Sequence, residues 1–74
     1  MTPETTDLDV RWLEPPEPFE RIAAALESLT PGGRLRVMIH REPRPLFSWL
    51  VEEGFAYEHG YKPEGYFEIL ITKP

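Results

Sequence analysis

The chain has 74 residues, no cysteine, and 13 acidic against 8 basic side chains, which gives a net charge of −5. The lack of cysteine excludes disulfides, zinc–thiolate sites and thiol catalysis. The acidic balance argues against nucleic acid, whose binding depends on neutralising phosphates with Lys and Arg. No stretch approaches the ~20 apolar residues of a membrane span. We therefore expect one cytoplasmic domain that binds neither nucleic acid nor membrane and holds no cofactor.

The first half of the chain predicts a strand followed by a helix. Residues 1–6 are short and polar, so we expect a frayed N-terminus there. Apolar and polar residues alternate from Leu8 to Trp12, which is the period of a half-buried strand. Apolar residues at helical spacing from Phe19 to Leu29 predict an amphipathic helix over residues 16–29. The sequence Thr30-Pro31-Gly32-Gly33 ends this helix and turns the chain.

The second half predicts a strand, a helix and a hairpin. Alternation from Arg34 to His40 indicates the second strand. A second helix is expected over residues 45–53, where apolar residues again fall at helical spacing. Two further strand patterns, Phe55 to Gly60 and Tyr66 to Lys73, flank the turn-forming sequence Lys62-Pro63-Glu64-Gly65. They should therefore form an antiparallel hairpin.

The predicted order of elements is β-α-β-α-β-β. Right-handed crossovers place both helices on the same face of the sheet when the first two strands are parallel neighbours. The strands alternate instead of being continuously apolar, so the other face should be open to solvent. We therefore predict a two-layer α/β sandwich, with a mixed four-stranded sheet covered by two helices on one face.

Prolines stand at the start of both predicted helices. Proline has no backbone N–H, and the first turn of a helix is the place that can spare this donor. Pro15, Pro16 and Pro18 therefore mark the point where the first strand gives way to the first helix, and Pro43 and Pro45 mark the second such point. They also make both turns stiff.

The segment Leu13-Glu14-Pro15-Pro16-Glu17-Pro18, followed by Pro31-Gly32-Gly33, resembles the TusA/SirA-like family. Sulfur-carrier members of that family have a β-α-β-α-β-β fold and a Leu-x-Cys-Pro-x-Pro motif that opens the first helix. The resemblance extends over nearly the whole chain and implies the same fold. Pro15 stands where the carriers have the persulfide-bearing cysteine, and Trp12 stands where they usually have a glycine. Sulfur transfer needs a thiolate, so this chain should be unable to carry sulfur.

The closer resemblance is to a cysteine-less branch of this group, a domain of unknown function. It rests on Leu13 to Pro18 and on Glu42-Pro43-Arg44-Pro45-Leu46. Members of the branch often have His-Asp-Pro-x-Pro-Leu in the second motif, whereas this chain has Arg41-Glu42, with His40 one position earlier. Some relatives accompany hemerythrin-like or nitrogen-oxide-handling proteins, an association that points to redox or nitrogen-oxide metabolism.

Both proline turns follow the C-terminal ends of neighbouring parallel strands, which is the edge where open α/β sheets usually bind ligands. Rigid turns with aromatic and Arg side chains beside them suit protein docking. We therefore predict a non-catalytic interaction module that docks a partner protein at this edge. The candidate docking residues are Trp12, Glu14, Pro15, Pro16, Glu17, Pro18, Glu42, Pro43, Arg44 and Phe47.

The alternative is an accessory domain that binds a small anionic or metal-centred ligand through His40 and Arg41. Exposure of Trp12 and Phe47 would favour docking, whereas a polar concavity that joins His40, Arg41 and Glu17 would favour the ligand. The sequence marks no nucleophile and no spacing typical of metal ligands. We therefore expect no catalytic residue and no metal site.

Overall fold

The computed structural model describes residues 4–74. Its elements, in chain order, are β1 (Thr5–Asp9), α1 (Glu17–Ser28), β2 (Arg34–Ile39), α2 (Arg44–Glu52), β3 (Ala56–Lys62) and β4 (Tyr66–Thr72). The strands form one sheet in the order β1-β2-β4-β3, in which β1 and β2 are parallel and the other two pairs are antiparallel. The predicted β-α-β-α-β-β architecture and mixed four-stranded sheet are confirmed. Neither helix is long and apolar enough to cross a membrane.

The first strand differs from its prediction at both ends. Thr5 and Thr6, expected in a frayed N-terminus, pair with Arg34 and Leu35 of β2, while residues 1–3 lie outside the described part of the chain. The strand ends at Asp9 instead of Trp12. Alternation continues past this point in the sequence, but the chain turns away from β2 at residues 11–12, where Trp12 has φ of +71° and the Leu13 N–H donates to the Val10 carbonyl. The prediction of Trp12 as a strand residue was therefore wrong.

The core lies between the sheet and the two helices. Leu35, Val37 and Ile39 of β2 are buried, while Arg34 and Arg36, which alternate with them, are exposed on the opposite face. This alternation is what a sheet with one covered face requires. The other residues of this buried hydrophobic core are Val10, Ile22, Leu26, Leu46, Leu50, Ile69 and Ile71.

The Pro31-Gly32-Gly33 turn requires both of its glycines. Gly32 has φ of +86°, a left-handed backbone conformation that is unfavourable for residues with a Cβ. A Cβ on Gly33 would lie 2.9 Å from the carbonyl oxygen of Thr30. The turn is also tied to the end of β4, because the Gly32 N–H donates to the Lys73 carbonyl and the Lys73 N–H donates to the Gly33 carbonyl, both at 2.9 Å.

Lys73 caps α1 although the two are far apart in the chain, and no local sequence pattern predicts this contact. Its ammonium donates to the carbonyl oxygens of Leu26 at 2.9 Å and Leu29 at 2.7 Å. The last carbonyls of a helix lack partners within the helix and favour a nearby cation. The last turn of α1 has no basic residue of its own, so Lys73 supplies one.

We expect Lys73→Met to lower the free energy of unfolding by about 2 kcal/mol, because it keeps the aliphatic stem and removes charged hydrogen bonds. Urea denaturation measures this change. Lys62→Met is the control, since Lys62 forms a 3.5 Å ion pair with Glu68 at a more exposed position. Exposed pairs contribute about 0–1 kcal/mol. Equal losses in the two variants would show that the helix cap adds nothing beyond an ordinary surface charge.

Candidate docking groove

A groove of about 400 Å³ opens between the two proline turns, at the C-terminal ends of β1 and β2. We call it the proline groove, because five prolines line it: Pro15, Pro16, Pro18, Pro43 and Pro45. The other apolar lining residues are Leu13, Phe19, Ile22, Ile39 and Leu46. Its charged or polar side chains are His40, Arg41 and Glu42. The concavity is therefore mostly apolar and has its polar groups together on the α2 side.

The prolines shape this groove because both helices begin there. α1 and α2 each carry a proline in their first two positions, and neither has a side-chain cap at its N-terminus. Prolines remove the very N–H groups that make other helix N-termini attractive to anions. Walls built in this way offer carbon surface to a ligand and few backbone donors. An apolar groove is the consequence.

Trp12 stands beside the groove in an unusual backbone conformation. Its φ is +71°, in the left-handed region, and its side chain is 78% exposed. Its N–H donates to Nδ1 of His40 at 3.0 Å, and the two rings stack with centroids 5.1 Å apart. Left-handed backbone costs a residue with a Cβ about 1–2 kcal/mol. The contacts with His40 offset part of that cost and fix the position of the indole ring.

Comparison with known proteins decides the family. A family model described as an uncharacterized conserved protein, DUF2249, matches residues 7–73. The chain belongs to the DUF2249 family. No curated protein matches it.

A solved structure similar to this DUF2249 chain is the crystal structure of a SirA-like protein from Desulfitobacterium hafniense. The two chains superpose with a TM-score of 0.78 at 25% identity, over 89% of this chain and 93% of that chain. The chain is therefore SirA/TusA-like, as its proline motif indicated. Unlike the sulfur carriers described above, it contains no cysteine.

The structure brings only part of the predicted docking set into the groove. Pro15, Pro16, Pro18, Glu42 and Pro43 line it, as do the two candidate ligand-binding residues. The predicted docking residues outside the lining are Trp12, Glu14, Glu17, Arg44 and Phe47. The proposed polar concavity that joins Glu17 to His40 and Arg41 is not formed, because Glu17 lies outside and pairs with Arg21 at 2.7 Å.

Phe47 lies away from the groove and packs between α2 and β3. Its ring stacks on Tyr57 with centroids 4.9 Å apart and lies 4.7 Å from the ring of His59. It is half-buried and contacts the core. The structure therefore does not supply the exposed Phe47 that would favour docking, because its place on α2 turns the ring toward β3.

Several wall residues were missed as site residues. Leu13, Ile22 and Leu46 are not among the predicted docking or ligand-binding residues, yet they line the groove. Their one distinguishing feature in the sequence is that they lie within a few positions of the prolines. The spacing of apolar residues shows which side chains share one face of a helix or strand. It does not show whether other parts of the protein cover the end of that face or leave it open as a groove.

The turn that carries Trp12 is held by a local ion pair. The Asp9 carboxylate accepts hydrogen bonds from Nε and Nη2 of Arg11, at 2.9 Å and 2.8 Å, and from the Arg11 backbone N–H at 3.0 Å. The side-chain hydrogen bonds are the main reason that the pKa of Asp9 falls from 3.8 to about 2, and the backbone bond lowers it further. The guanidinium of Arg11 also lies 4.8 Å from the centre of the Tyr66 ring.

Neither histidine belongs to a cluster of potential metal ligands in the described part of the chain. Within residues 4–74, no three His, Asp or Glu side chains come close enough to share a metal ion. His40 stacks on Trp12 and His59 lies against Phe47. Each histidine therefore has an aromatic neighbour of its own.

Proposed function

We propose that this DUF2249 chain is a non-catalytic interaction module that takes an extended apolar segment of a partner protein into the proline groove. The single observation that carries the proposal is an apolar groove with an exposed Trp12 beside it. In this view the chain belongs to a cysteine-less branch of the SirA/TusA-like group, in which the sulfur-carrying step is lost and the docking edge is kept.

The rigidity of the groove supports a docking role. Five prolines hold its walls, so little conformational entropy remains to be lost on binding. A volume of about 400 Å³ is enough for a few side chains and too small for a folded domain. The partner should therefore present a short extended segment and not a broad surface.

The chemistry of Trp12 supports the same role. Tryptophan is enriched among the residues that carry most of the energy of protein interfaces, because it buries a large rigid surface. Here the ring is 78% exposed and held in place by His40. Contact with both the groove and this ring would bury more apolar surface than the groove alone.

A second candidate function is the binding of a small apolar anion. One observation favours it, namely that His40 and Arg41 lie together in the wall of the groove. The volume of the groove also falls in the range of small-molecule sites, about 300–1,000 Å³. His40 and Arg41 can also bind an acidic group of a peptide.

We expect random peptides displayed on phage to be enriched on the immobilised chain, and we expect Pro45→Glu to weaken their binding by at least about tenfold, or ~1.4 kcal/mol. The substitution puts a carboxylate into the apolar wall. It should leave the fold intact, because Pro45 is the second residue of α2 and the first turn of a helix favours an acidic side chain. Calorimetric titration with a synthetic enriched peptide measures the change.

Ser48→Glu is the matched control, since Ser48 lies on the same helix, is exposed and does not line the groove. It should bind the peptide as the unmodified chain does. Failure to enrich any peptide, or equal binding by the Pro45→Glu variant, would overturn the proposed function. Displacement of the peptide by small apolar carboxylates alone, with no sequence preference among peptides, would favour the second candidate.

A further inference from the structure

We infer that His40 and Arg41 form a carboxylate-binding corner in the proline groove, so that the docked segment carries an Asp or Glu side chain beside its apolar residues. This inference rests on the proposed docking function and adds the kind of partner that the groove fits. It is based on the hydrogen bond that His40 accepts from Trp12 and on the lack of an ion pair for Arg41 within residues 4–74.

His40 offers the groove a donor and not an acceptor. Its Nδ1 accepts the hydrogen bond from the Trp12 N–H at 3.0 Å, so this nitrogen carries no proton. A neutral imidazole holds its proton on the other nitrogen, which is Nε2. The remaining polar atom of His40, which lines the groove, is therefore an N–H, and it can donate to an acceptor on a bound segment.

Arg41 has no carboxylate partner among the residues that the structure describes. Arg11, Arg21, Arg36 and Arg44 each lie within 3.9 Å of an Asp or Glu oxygen. Within residues 4–74, no such pair involves Arg41, although it lines the groove directly after His40. Guanidinium groups bind carboxylates through two parallel hydrogen bonds, which makes the pair both strong and oriented.

Glu42 does not neutralise this corner. It also lines the groove, but its carboxylate lies 3.9 Å from Nε of Arg44, which balances its charge. The corner is therefore left with two adjacent donors, one of them charged. Electrostatic attraction is stronger beside apolar walls than in open water, because fewer water molecules screen it.

The acid belongs to a side chain within the segment and not to a chain terminus. The groove is open to solvent, so an extended segment is not required to end inside it. A segment in this position places apolar side chains against the prolines and one acidic side chain at the corner. The partner is thus an acidic–apolar peptide segment.

The test uses the displayed-peptide selection, with peptides whose C-terminus is fused to the coat protein. Enriched peptides should combine apolar residues with Asp or Glu. An enriched peptide and its Glu→Gln or Asp→Asn counterpart, both with amidated ends, are then titrated into the unmodified chain. The acidic peptide should bind about tenfold more tightly at low salt, and added salt should reduce the difference.

Three variants locate the effect. Arg41→Gln should remove most of the preference for the acidic peptide, so that the acidic and amide peptides bind this variant with nearly equal affinity. Arg34→Gln is the matched control, since Arg34 is also exposed and also lacks an ion pair within residues 4–74, but lies on the open face of the sheet. His40→Asn should reduce the preference partially, because Asn can still accept the Trp12 N–H but has no donor at the Nε2 position.

The outcomes separate the inference from the proposed function. Groove-dependent peptides with no acidic residue, or with a basic one, would overturn the carboxylate corner and leave docking standing. A preference that survives Arg41→Gln, or that appears only with a free C-terminal carboxylate, would also overturn it. If no peptide shows sensitivity to Pro45→Glu, both proposals fail together.

Discussion

Replacing Trp12 with glycine is expected to weaken peptide docking strongly while giving a domain that is more stable than the Trp12→Ala variant. Both substitutions remove the exposed indole ring and its stack on His40. If Trp12 is an interface hot spot, either change should cost at least ~2 kcal/mol of binding, or about 30-fold in affinity. The two variants should differ in stability, because φ at this position is +71° and glycine adopts this conformation more easily than alanine does.

The stability of the two variants should follow the reverse of the usual order. In a helix or strand, glycine is less stable than alanine by about 0.5–1 kcal/mol, because it loses more conformational freedom on folding. At a left-handed position alanine bears a steric cost of about 1–2 kcal/mol that glycine does not bear. We therefore expect Trp12→Gly to exceed Trp12→Ala by about 1 kcal/mol in its free energy of unfolding.

Ala24→Gly is the control for this comparison, because Ala24 is exposed in the middle of α1. It should lower stability by about 1 kcal/mol. Urea denaturation measures stability, and calorimetric titration with an enriched peptide measures docking. Normal binding by both Trp12 variants would remove Trp12 from the docking surface. A more stable alanine variant would contradict the strained backbone at this residue.

The order of the elements could be predicted because the chain separates them clearly. Alternation predicts strands, helical spacing predicts helices, and Pro or Gly stands at nearly every junction. The boundaries of β1 were missed for a specific reason. Thr5 and Thr6 join the sheet through backbone pairing with β2. Such pairing cannot be predicted from polar side chains. Trp12 fits the alternation, but the strand has ended before it.

The candidate site could be predicted in part because topology places it. Once β1 and β2 are parallel, their C-terminal ends and both proline turns must lie at one edge, which gathers Pro15, Pro43, His40 and Arg41. The groove itself could not be predicted, because it depends on how far apart two turns stand in space. The bond from Trp12 to His40 joins residues 28 positions apart, and no local pattern reports it.

Replacing Phe47 with alanine is expected to destabilise the domain by about 3 kcal/mol without weakening docking. Burial of a Phe ring typically contributes about 3–5 kcal/mol, and Phe47 is half-buried, which favours the lower end. Loss of its stack on Tyr57 is included in that figure, since stacked aromatic pairs contribute about 0.5–1.5 kcal/mol. Docking should persist because Phe47 does not line the groove.

The expected loss is large for a domain of this size. At about 0.05–0.15 kcal/mol per residue, a chain of 74 residues has a total stability of roughly 4–11 kcal/mol. The Phe47→Ala variant should therefore melt well below the unmodified chain, and its docking must be measured at low temperature, where it is folded. Phe47→Leu is the matched control, because it keeps apolar volume against the core and loses only the aromatic stack. It should cost about 1 kcal/mol.

The two measurements on Phe47 distinguish its role in the fold from a role in docking. If the folded Phe47→Ala variant binds an enriched peptide as tightly as the unmodified chain does, the ring acts only through packing against Tyr57 and His59. If binding falls tenfold or more while Phe47→Leu binds normally, the ring belongs to the docking surface after all. That result would extend the surface from the proline groove across α2 to β3, on the side where His59 is exposed.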